Sequence, residues 1–536
     1  MEISKSKICI IGAGPVGYLL SILLTQRGYK IDIFEKRSDP LLTEQFSEGR
    51  STNFLFGKRS MEALSRAGIK DEIMKYAYRI EKIKFVLDNL DSYTTYFGGK
   101  TVQDRSFSIN RQIVQKVLAQ RTRDFPDSIN IHYNSKVTNV DIEKGSIDVQ
   151  FQDGQTQTLD YYDQIFAADG TFSVVKNAFL QIPGFSYSNQ YSGYGYCELQ
   201  IPAAEQNTQL NVNSDSQNID SQQNLQQNQL TNSKKGDANP SRFRIDDHTF
   251  QHWPRKDLDM HMWGMPNYQG DINIGLYLKV KGENSYEQFK DDYEGFENFM
   301  HQHYPDSKYL MSNMKQFHSN WSLTRLMNMK CSPWSFGKFQ LIGDSAHTMN
   351  PFLGQGFNGG AEECVIIDDL IQKHQGYWNQ VREQFYILRK NETDIMNDLS
   401  DVQFAFFKDK FFLPEVQVSF MISDYLSRNY GDIYQSQIQL IRWTTLDYNK
   451  CLSRGAVQQA LIKDLRESIP DIMVLVKKNK KDQRVSAIVS KYTDVYDITE
   501  LQKQKLQDAS HTIQQKHFEN LYEKYMPTYE KLSPKL

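Results

Sequence analysis

The chain begins with a β-rich apolar run, "KICIIGA" (7–13), followed by apolar residues at helical spacing in "PVGYLLSILLTQRG" (15–28), which ends on a glycine suited to a helix terminus. "KIDIFEK" (30–36) alternates as a second strand, so these residues predict a β-α-β unit. Helical spacing returns in "KRSMEALSRAGIKDEIMKYA", and "IEKIKFVLD" and "YTTYF" alternate like strands. A helix is predicted over "RQIVQKVLAQRT" (111–122). Strands follow in "INIHYNSKV" and "GSIDVQFQ", with a DG turn leading into "TQTLDYYDQIFAADG". Residues 180–202 and 243–330 carry alternating aromatic segments, among them "FQHWPRKDLDMHMWGMP" and "DINIGLYLKV". They predict an antiparallel sheet distinct from the N-terminal α/β portion. Beyond about residue 362 the spacing is mostly helical.

Residues 205–240 break this pattern, being Gln, Asn and Ser with almost no aromatics. Such a segment buries too little apolar surface to offset its chain entropy, so it predicts a disordered loop insertion. The rest of the chain has ample material for packing, with 39% hydrophobic and 12% aromatic residues among 536, enough for two to three structural units. A net charge of −3 gives no reason to expect nucleic acid as a partner. Five scattered cysteines without a C-x-x-C pair argue against a disulfide framework or a zinc site, and fit a reducing compartment. No cleavable leader is evident, and no apolar run approaches the roughly 20 residues needed to span a bilayer. The expectation is an intracellular, soluble protein without a transmembrane anchor, cytoplasmic or mitochondrion-associated. The apolar "IMVLV" (472–476) before the basic "KKNKKDQR" reads as a packed helix end with a solvated basic turn.

Three constellations carry chemistry. Gly12-x-Gly14-x-x-Gly17 lies between strand and helix, with Glu35 at the end of the next strand. Gly12 permits a tight turn, Gly14 lets a pyrophosphate approach the backbone, Gly17 lets helix and strand pack closely, and Glu35 accepts from ribose hydroxyls. This unit predicts a dinucleotide site without separating FAD from NAD. Asp169-Gly170 follows the strand-like "QIFA". In "GDSAHTMNPFLGQGFNGG" (343–360), Asp344 ends a strand where a carboxylate can bond a ribityl hydroxyl. Pro351 and Gly354 through Gly360 then bring bare backbone and a helix start against a flat, partly anionic ring system, clearing space for an isoalloxazine. His347 in "SAHT" reads as a structural histidine rather than a general base.

In this order, "GAGPVG", "DG" and "GD" resemble the FAD-dependent aromatic hydroxylase superfamily. "GRSTNFLFGKRSMEALSRAGIKDEI", "SINRQIVQKVL", "YSNQYSGYGYCELQIP", "FQHWPR" and "GDSAHTMNPFLGQGFNGGAEEC" narrow the resemblance to the kynurenine 3-monooxygenase family. The fold class implied is α/β: a Rossmann-type FAD-binding domain (GR2/PHBH-like) with an antiparallel-sheet substrate domain and a helical C-terminal region. The FAD-binding domain would comprise residues 1–75, 107–179 and 331–380. The substrate domain would take strands from 76–106 together with 180–330, and the helical region would cover 381–536.

The resemblance implies a monooxygenase in which NADPH, as a transient reductant, reduces FAD. O₂ then forms a C4a-hydroperoxide, whose distal oxygen passes to an aromatic, amino-acid-like substrate ortho to its amino group. The expected product from L-kynurenine is 3-hydroxykynurenine, in tryptophan catabolism and NAD biosynthesis. By position, Gly12, Gly14, Gly17, Glu35, Arg50, Arg111, Asp169, Gly170 and Asp344 would contact FAD, and Leu55 and Val137 would line its pocket. Pro351, Gly354, Gln355 and Gly356 would lie beside the flavin ring, with Asn358 and Glu362 near ring and substrate. The family anchors its substrate carboxylate with an Arg and a Tyr fourteen residues apart. An ungapped alignment puts Ile83 and Phe97 there, and a shift of one residue puts Lys82 and Tyr96 there. A further family Tyr aligns with Val402 or Phe404, and Lys176 stands where "DGTFSVVK" usually ends in Arg. Two alternatives remain at this level: a hydroxylase of another aromatic substrate, and a flavin-binding or flavin-less scaffold.

Overall fold

Strand Lys7–Ile11 (KICII) is buried along almost its whole length because it lies at the centre of a parallel sheet covered on both faces. The sheet runs in the order Phe339–Leu341, Gln164–Ala167, Lys7–Ile11, Lys30–Phe34 and Ile129–His132, with Ser335–Phe336 as an antiparallel edge. Helix Pro15–Gln26 packs against Arg111–Thr122 and Gly356–Lys373. The computed structural model describes residues 6–42, 53–87, 92–96, 106–204, 244–255, 258, 260–408, 410–431 and 433–497. The Gln/Asn-rich segment 205–240 lies outside them.

A seven-stranded sheet forms the second layer, ordered Thr324–Ser332, Ser186–Ile201, Ile272–Lys279, Met260–Pro266, Thr249–Arg255, Lys82–Val86 and Ser92–Tyr96. It is not wholly antiparallel, because Thr249–Arg255 pairs in parallel with Lys82–Val86. That pair joins two segments more than 150 residues apart in the chain, and no hairpin sets their direction. Among the described residues of the 76–106 stretch, only Lys82–Val86 and Ser92–Tyr96 enter this sheet. Tyr78–Ile80 pairs with Ser106–Asn110, which also holds Asn53–Phe56, in a separate small sheet. Likewise "INIHYNSKV" is split between sheets. Ile129–His132 edges the parallel sheet, whereas Lys136–Asp141 pairs with Ser146–Gln150, which also pairs with Thr156–Leu159.

The stretch 286–319, expected to continue the strands, is helical instead: Tyr286–Phe289, Tyr293–His303, Ser307–Leu310 and Met314–Ser319. Phe296, Phe299 and Met300 repeat at i, i+3 and i+4, so they share one helix face, which is buried together with Leu199, Leu276 and Leu278 of the sheet. The C-terminal region is helical as expected, from Trp378–Lys408 through Pro414–Asn429, Gln437–Trp443 and Tyr448–Ser468 to Ile472–Lys478 and Gln483–Asp497. Ile472 and Leu475 pack into a core with Ile422 and Leu461, and Lys477 and Lys478 end that helix. Among the described residues no helix is long and apolar enough to cross a membrane. All five cysteines are free and buried.

Candidate cofactor and substrate site

Three adjacent strands of the parallel sheet end at one place. Gly14, Pro15 and Val16 follow Lys7–Ile11, Ala168 and Gly170 follow Gln164–Ala167, and Ile342 and Asp344 follow Phe339–Leu341. All line one cavity of about 340 Å³, within the roughly 300–1,000 Å³ usual for small-molecule sites. The crevice beyond the carboxyl ends of parallel strands is where α/β folds bind ligands.

The backbone there fits a dinucleotide. Gly12 has φ +99°, and a Cβ on it would stand 2.6 Å from the Ala168 carbonyl oxygen; a Cβ on Gly17 would overlap the carbonyl oxygen of Gly12. Both glycines are therefore required for helix Pro15–Gln26 to start hard against the strand ends. Its N-cap, Gly14, makes no side-chain cap, which leaves the first N–H groups to meet an anion. Glu35 is buried beside this turn, where its Oε2 accepts from the Ala13 N–H at 2.8 Å and its Oε1 from Arg37 Nε at 2.8 Å. Burial alone would raise the Glu35 carboxyl, but Arg37 and the backbone N–H groups hold it below the usual range.

Asp169 is half-buried and braces the second turn, accepting from the Val174 N–H at 2.8 Å and the Ser345 hydroxyl at 3.1 Å. Burial pushes its carboxyl up in spite of these bonds. Leu55, Arg111, Pro351, Gly354 and Gly356 line the cavity with Asp344, and a Cβ on Gly356 would lie 4.0 Å from Asp344 Oδ1. Arg111 opens its helix behind the Asn110 cap, its guanidinium 5.6 Å from the Phe54 ring centroid.

Several expected residues do not line the cavity. Val137 is packed in the core of the small antiparallel sheet opposite Val149. The Gln355 amide is committed to the Leu353 carbonyl and the Tyr448 hydroxyl. Asn358 donates to the carbonyls of Leu55 and Gly354 and accepts from the Gly57 N–H at 2.9 Å, so its amide clamps two loops together. The Glu362 carboxylate is held between Arg59 and Arg389. Phe404 stacks on Phe352, with ring centroids 4.7 Å apart. His347 is buried against Glu363 at 2.5 Å. The Lys176 amine is buried too, donating to the Thr171 carbonyl, and burial pushes it down. Arg50, Phe97 and the side chain of Tyr96 lie outside the described residues.

The opposite end of the cavity is aromatic. Ile83 and Phe85 alternate inward from Lys82–Val86, Phe250 and His252 from the neighbouring strand, and Phe407 and Phe420 from the C-terminal helices. Because side chains alternate along a strand, Lys82 falls on the other face and is exposed. Ile83, not Lys82, is therefore the residue that this strand presents, and Thr95, its cross-strand partner, lines the cavity beside it. The Thr95 hydroxyl donates to Asp424 at 2.6 Å, and Asp424 also pairs with Arg428.

Sequence reasoning missed polar groups of this end, among them His252, His261 and Arg442. Alternation within "FQHWPR" places Phe250 and His252 on one face, a signal that was present. Arg442 offered none, being a single cation in the helix "QIQLIRW".

Residues 5–205 and 221–371, more than half of the chain, match the family described as FAD binding domain. The chain is 26% identical over 490 residues to a protein of Christiangramia forsetii named kynurenine 3-monooxygenase, covering 91% of this chain and 99% of that one. It is also 26% identical to the protein of that name in Flavobacterium psychrophilum, covering 86% and 94%. Among solved structures, PqsL, a probable FAD-dependent monooxygenase from Pseudomonas aeruginosa, superposes with a TM-score of 0.56 at 11% identity, over 77% of this chain and 99% of that one. The tetrameric form of 2-methyl-3-hydroxypyridine-5-carboxylic acid oxygenase gives 0.53 at 16%, over 79% and 96%; both likenesses speak to the fold. With the glycine-lined crevice at the ends of three parallel strands, these matches make the chain a member of the FAD binding domain family and an FAD-dependent monooxygenase.

Proposed function

We propose that this monooxygenase hydroxylates L-kynurenine to 3-hydroxykynurenine with NADPH as reductant. The observation that carries the reading is an aromatic-walled chamber continuous with the glycine-lined turns, and the names of the relatives support it. In this reading the N–H groups after Gly14 hold the FAD pyrophosphate, Glu35 its ribose and Asp344 its ribityl chain. Pro351, Gly354 and Gly356 border its ring, and Asp169 stiffens the adjoining turn. When bound, FAD supplies the redox chemistry: electrons from NADPH, one oxygen atom of O₂ delivered to the ring and the other released as water.

The chain's own residues bind, orient and exclude water. Ile83, Phe85, Phe250, Trp263 and Phe407 offer an apolar slot for an aromatic ring, and no side chain need act as a nucleophile. The test is NADPH oxidation by the FAD-loaded protein with and without L-kynurenine, with the product identified by mass spectrometry. Stimulated oxidation with formation of 3-hydroxykynurenine is expected. Oxidation that kynurenine leaves unchanged overturns the assignment. One observation favours a second reading, a different aromatic substrate: the strand position aligned with the family's carboxylate anchor presents Ile83, which carries no charge.

A further inference from the structure

His252 and His261 form a buried pair in the cavity wall, His252 Nδ1 lying 2.9 Å from His261 Nε2. Phe407 stacks on both rings, at 4.8 and 4.9 Å between centroids. A hydrogen bond between two imidazole nitrogens needs one donor and one acceptor, so each ring's tautomer fixes the other's. If His261 Nε2–H donates, His252 carries its own proton on Nε2. That Nε2 is buried and has no partner among the described residues, and neither has His261 Nδ1, which is the acceptor in this arrangement. A buried polar atom without a partner is destabilising unless a ligand supplies the bond. Burial also keeps both rings neutral near pH 7, holding His252 well below the ordinary histidine value and His261 near 3.

Arg442 comes to the same wall from another element. Helix Gln437–Trp443 is anchored by a reciprocal cap in which the Ser436 hydroxyl accepts from the Gln439 N–H and the Gln439 side chain accepts from the Ser436 N–H. The Arg442 backbone is pressed against Gly57, where a Cβ would stand 3.2 Å from the Arg442 carbonyl carbon. Its buried side chain lines the cavity, near enough for its charge to disfavour protonation of His252. Burial pushes the guanidinium down to about 9, so it stays cationic at neutral pH.

We infer that Arg442 and His252, the latter in the tautomer that carries its proton on Nε2 and accepts from His261, form the receptor for the carboxylate of an aromatic acid substrate. The inference rests on reading the cavity as the substrate chamber. It moves recognition of the anion from strand Lys82–Val86 to the C-terminal helices. Arg442 supplies the charge and His252 Nε2–H a second donor, while His261 acts as a positioning residue. The C-terminal helical region thereby becomes part of the specificity machinery.

The test is ligand binding, followed by quenching of tryptophan fluorescence, since Trp263 and Trp443 line the cavity and report with or without flavin. The probes are two pairs that differ by a carboxylate: L-kynurenine against kynuramine, and anthranilate against aniline. The wild type is expected to prefer the acid of at least one pair by about 30-fold or more, and Arg442→Met to erase that preference with little effect on the amine. His252→Phe should reduce the preference. His261→Phe should do the same, with His261→Gln, whose amide can replace the lost bond, restoring it. Equal binding of acid and amine by the wild type in both pairs overturns the inference. So does a preference that survives Arg442→Met or, where that variant does not fold, His252→Phe. An Arg442-dependent preference for anthranilate without kynurenine binding upholds the receptor and removes the kynurenine reading. Kynurenine turnover without any acid preference does the reverse.

Discussion

Replacing Glu362 by Gln separates two roles for a residue that family resemblance places near the substrate. In the structure its carboxylate joins three helices: Oε1 accepts from Arg59 of Lys58–Arg66, and Oε2 from Arg389 of Trp378–Lys408 at 2.8 Å. The side chains of Arg59 and Arg389 are only 2% and 4% exposed, and Glu362 itself 12%. Tyr448 lies under Arg59, with the guanidinium 4.1 Å from its ring centroid. Burial works against both cations, but Tyr448 and Glu362 offset it for Arg59, and Glu362 and Glu363 offset it for Arg389. Glu362→Gln leaves two desolvated guanidiniums with Glu363, 3.6 Å from Arg389 Nε, as the nearest remaining carboxylate. Breaking such a buried pair costs about 3–5 kcal/mol. At an unfolding entropy of about 2.1 cal/mol/K per residue, 536 residues give about 1.1 kcal/mol/K, so the midpoint should fall by roughly 3–4 °C. Scanning fluorimetry measures this, and ligand titration of the same variant should show affinity within about twofold of wild type. An unchanged midpoint with affinity lost tenfold or more would refute the reasoning and return Glu362 to the substrate.

Three further outcomes are expected. Gly17→Ala, whose Cβ would overlap the Gly12 carbonyl, should lower FAD content and the unfolding midpoint; overpacking costs about 1–3 kcal/mol, and full FAD occupancy would contradict the close helix–strand contact. Lys82→Ala should leave substrate affinity unchanged, because Lys82 is exposed on the far face of its strand, whereas Ile83→Ala should weaken aromatic ligands severalfold; titration of both variants checks this. Glu35 has a depressed folded pKa, so its contribution is fully present above its unfolded value of about 4.3 and is lost as pH falls through the lower folded value. Melting curves of wild type and Glu35→Gln should therefore differ at pH 6 and converge below about pH 4; a constant gap would show that the Glu35 charge plays no part.

The parallel sheet was legible because its signals are local. Lys7–Ile11, Pro15–Gln26 and Lys30–Phe34 are contiguous, each with the period of its own element, and the glycines between them have steric reasons to be there. The second layer was read less well. The parallel pairing of Thr249–Arg255 with Lys82–Val86 depends on which distant edge is free, and nothing in either strand encodes it. The helices from 286 to 319 were hidden by aromatics, which favour strands as readily as a helix face and whose role the sheet beneath them decides.

The same division runs through the site. The end at the strand termini is built from backbone, and backbone requirements leave glycines and a few acids at fixed spacing, which can be read from the sequence. The aromatic end is built from single side chains on elements brought together only by folding: Ile83 and Thr95 on paired strands, His252 and His261 across another pair, and Arg442 on a helix more than 170 residues further along the chain. Each has an ordinary reading in its own segment, and only their convergence on one cavity carries information. Strand alternation then does the remaining work, since a shift of one residue exchanges Ile83 for Lys82 and turns a cation from solvent into the chamber. Parallel register, with Ile83 opposite Phe250 and Phe85 opposite His252, fixes which of the two faces inward. Any cation that meets a substrate anion must therefore reach the chamber from an element other than this strand, and among the described lining residues the C-terminal helices supply one in Arg442.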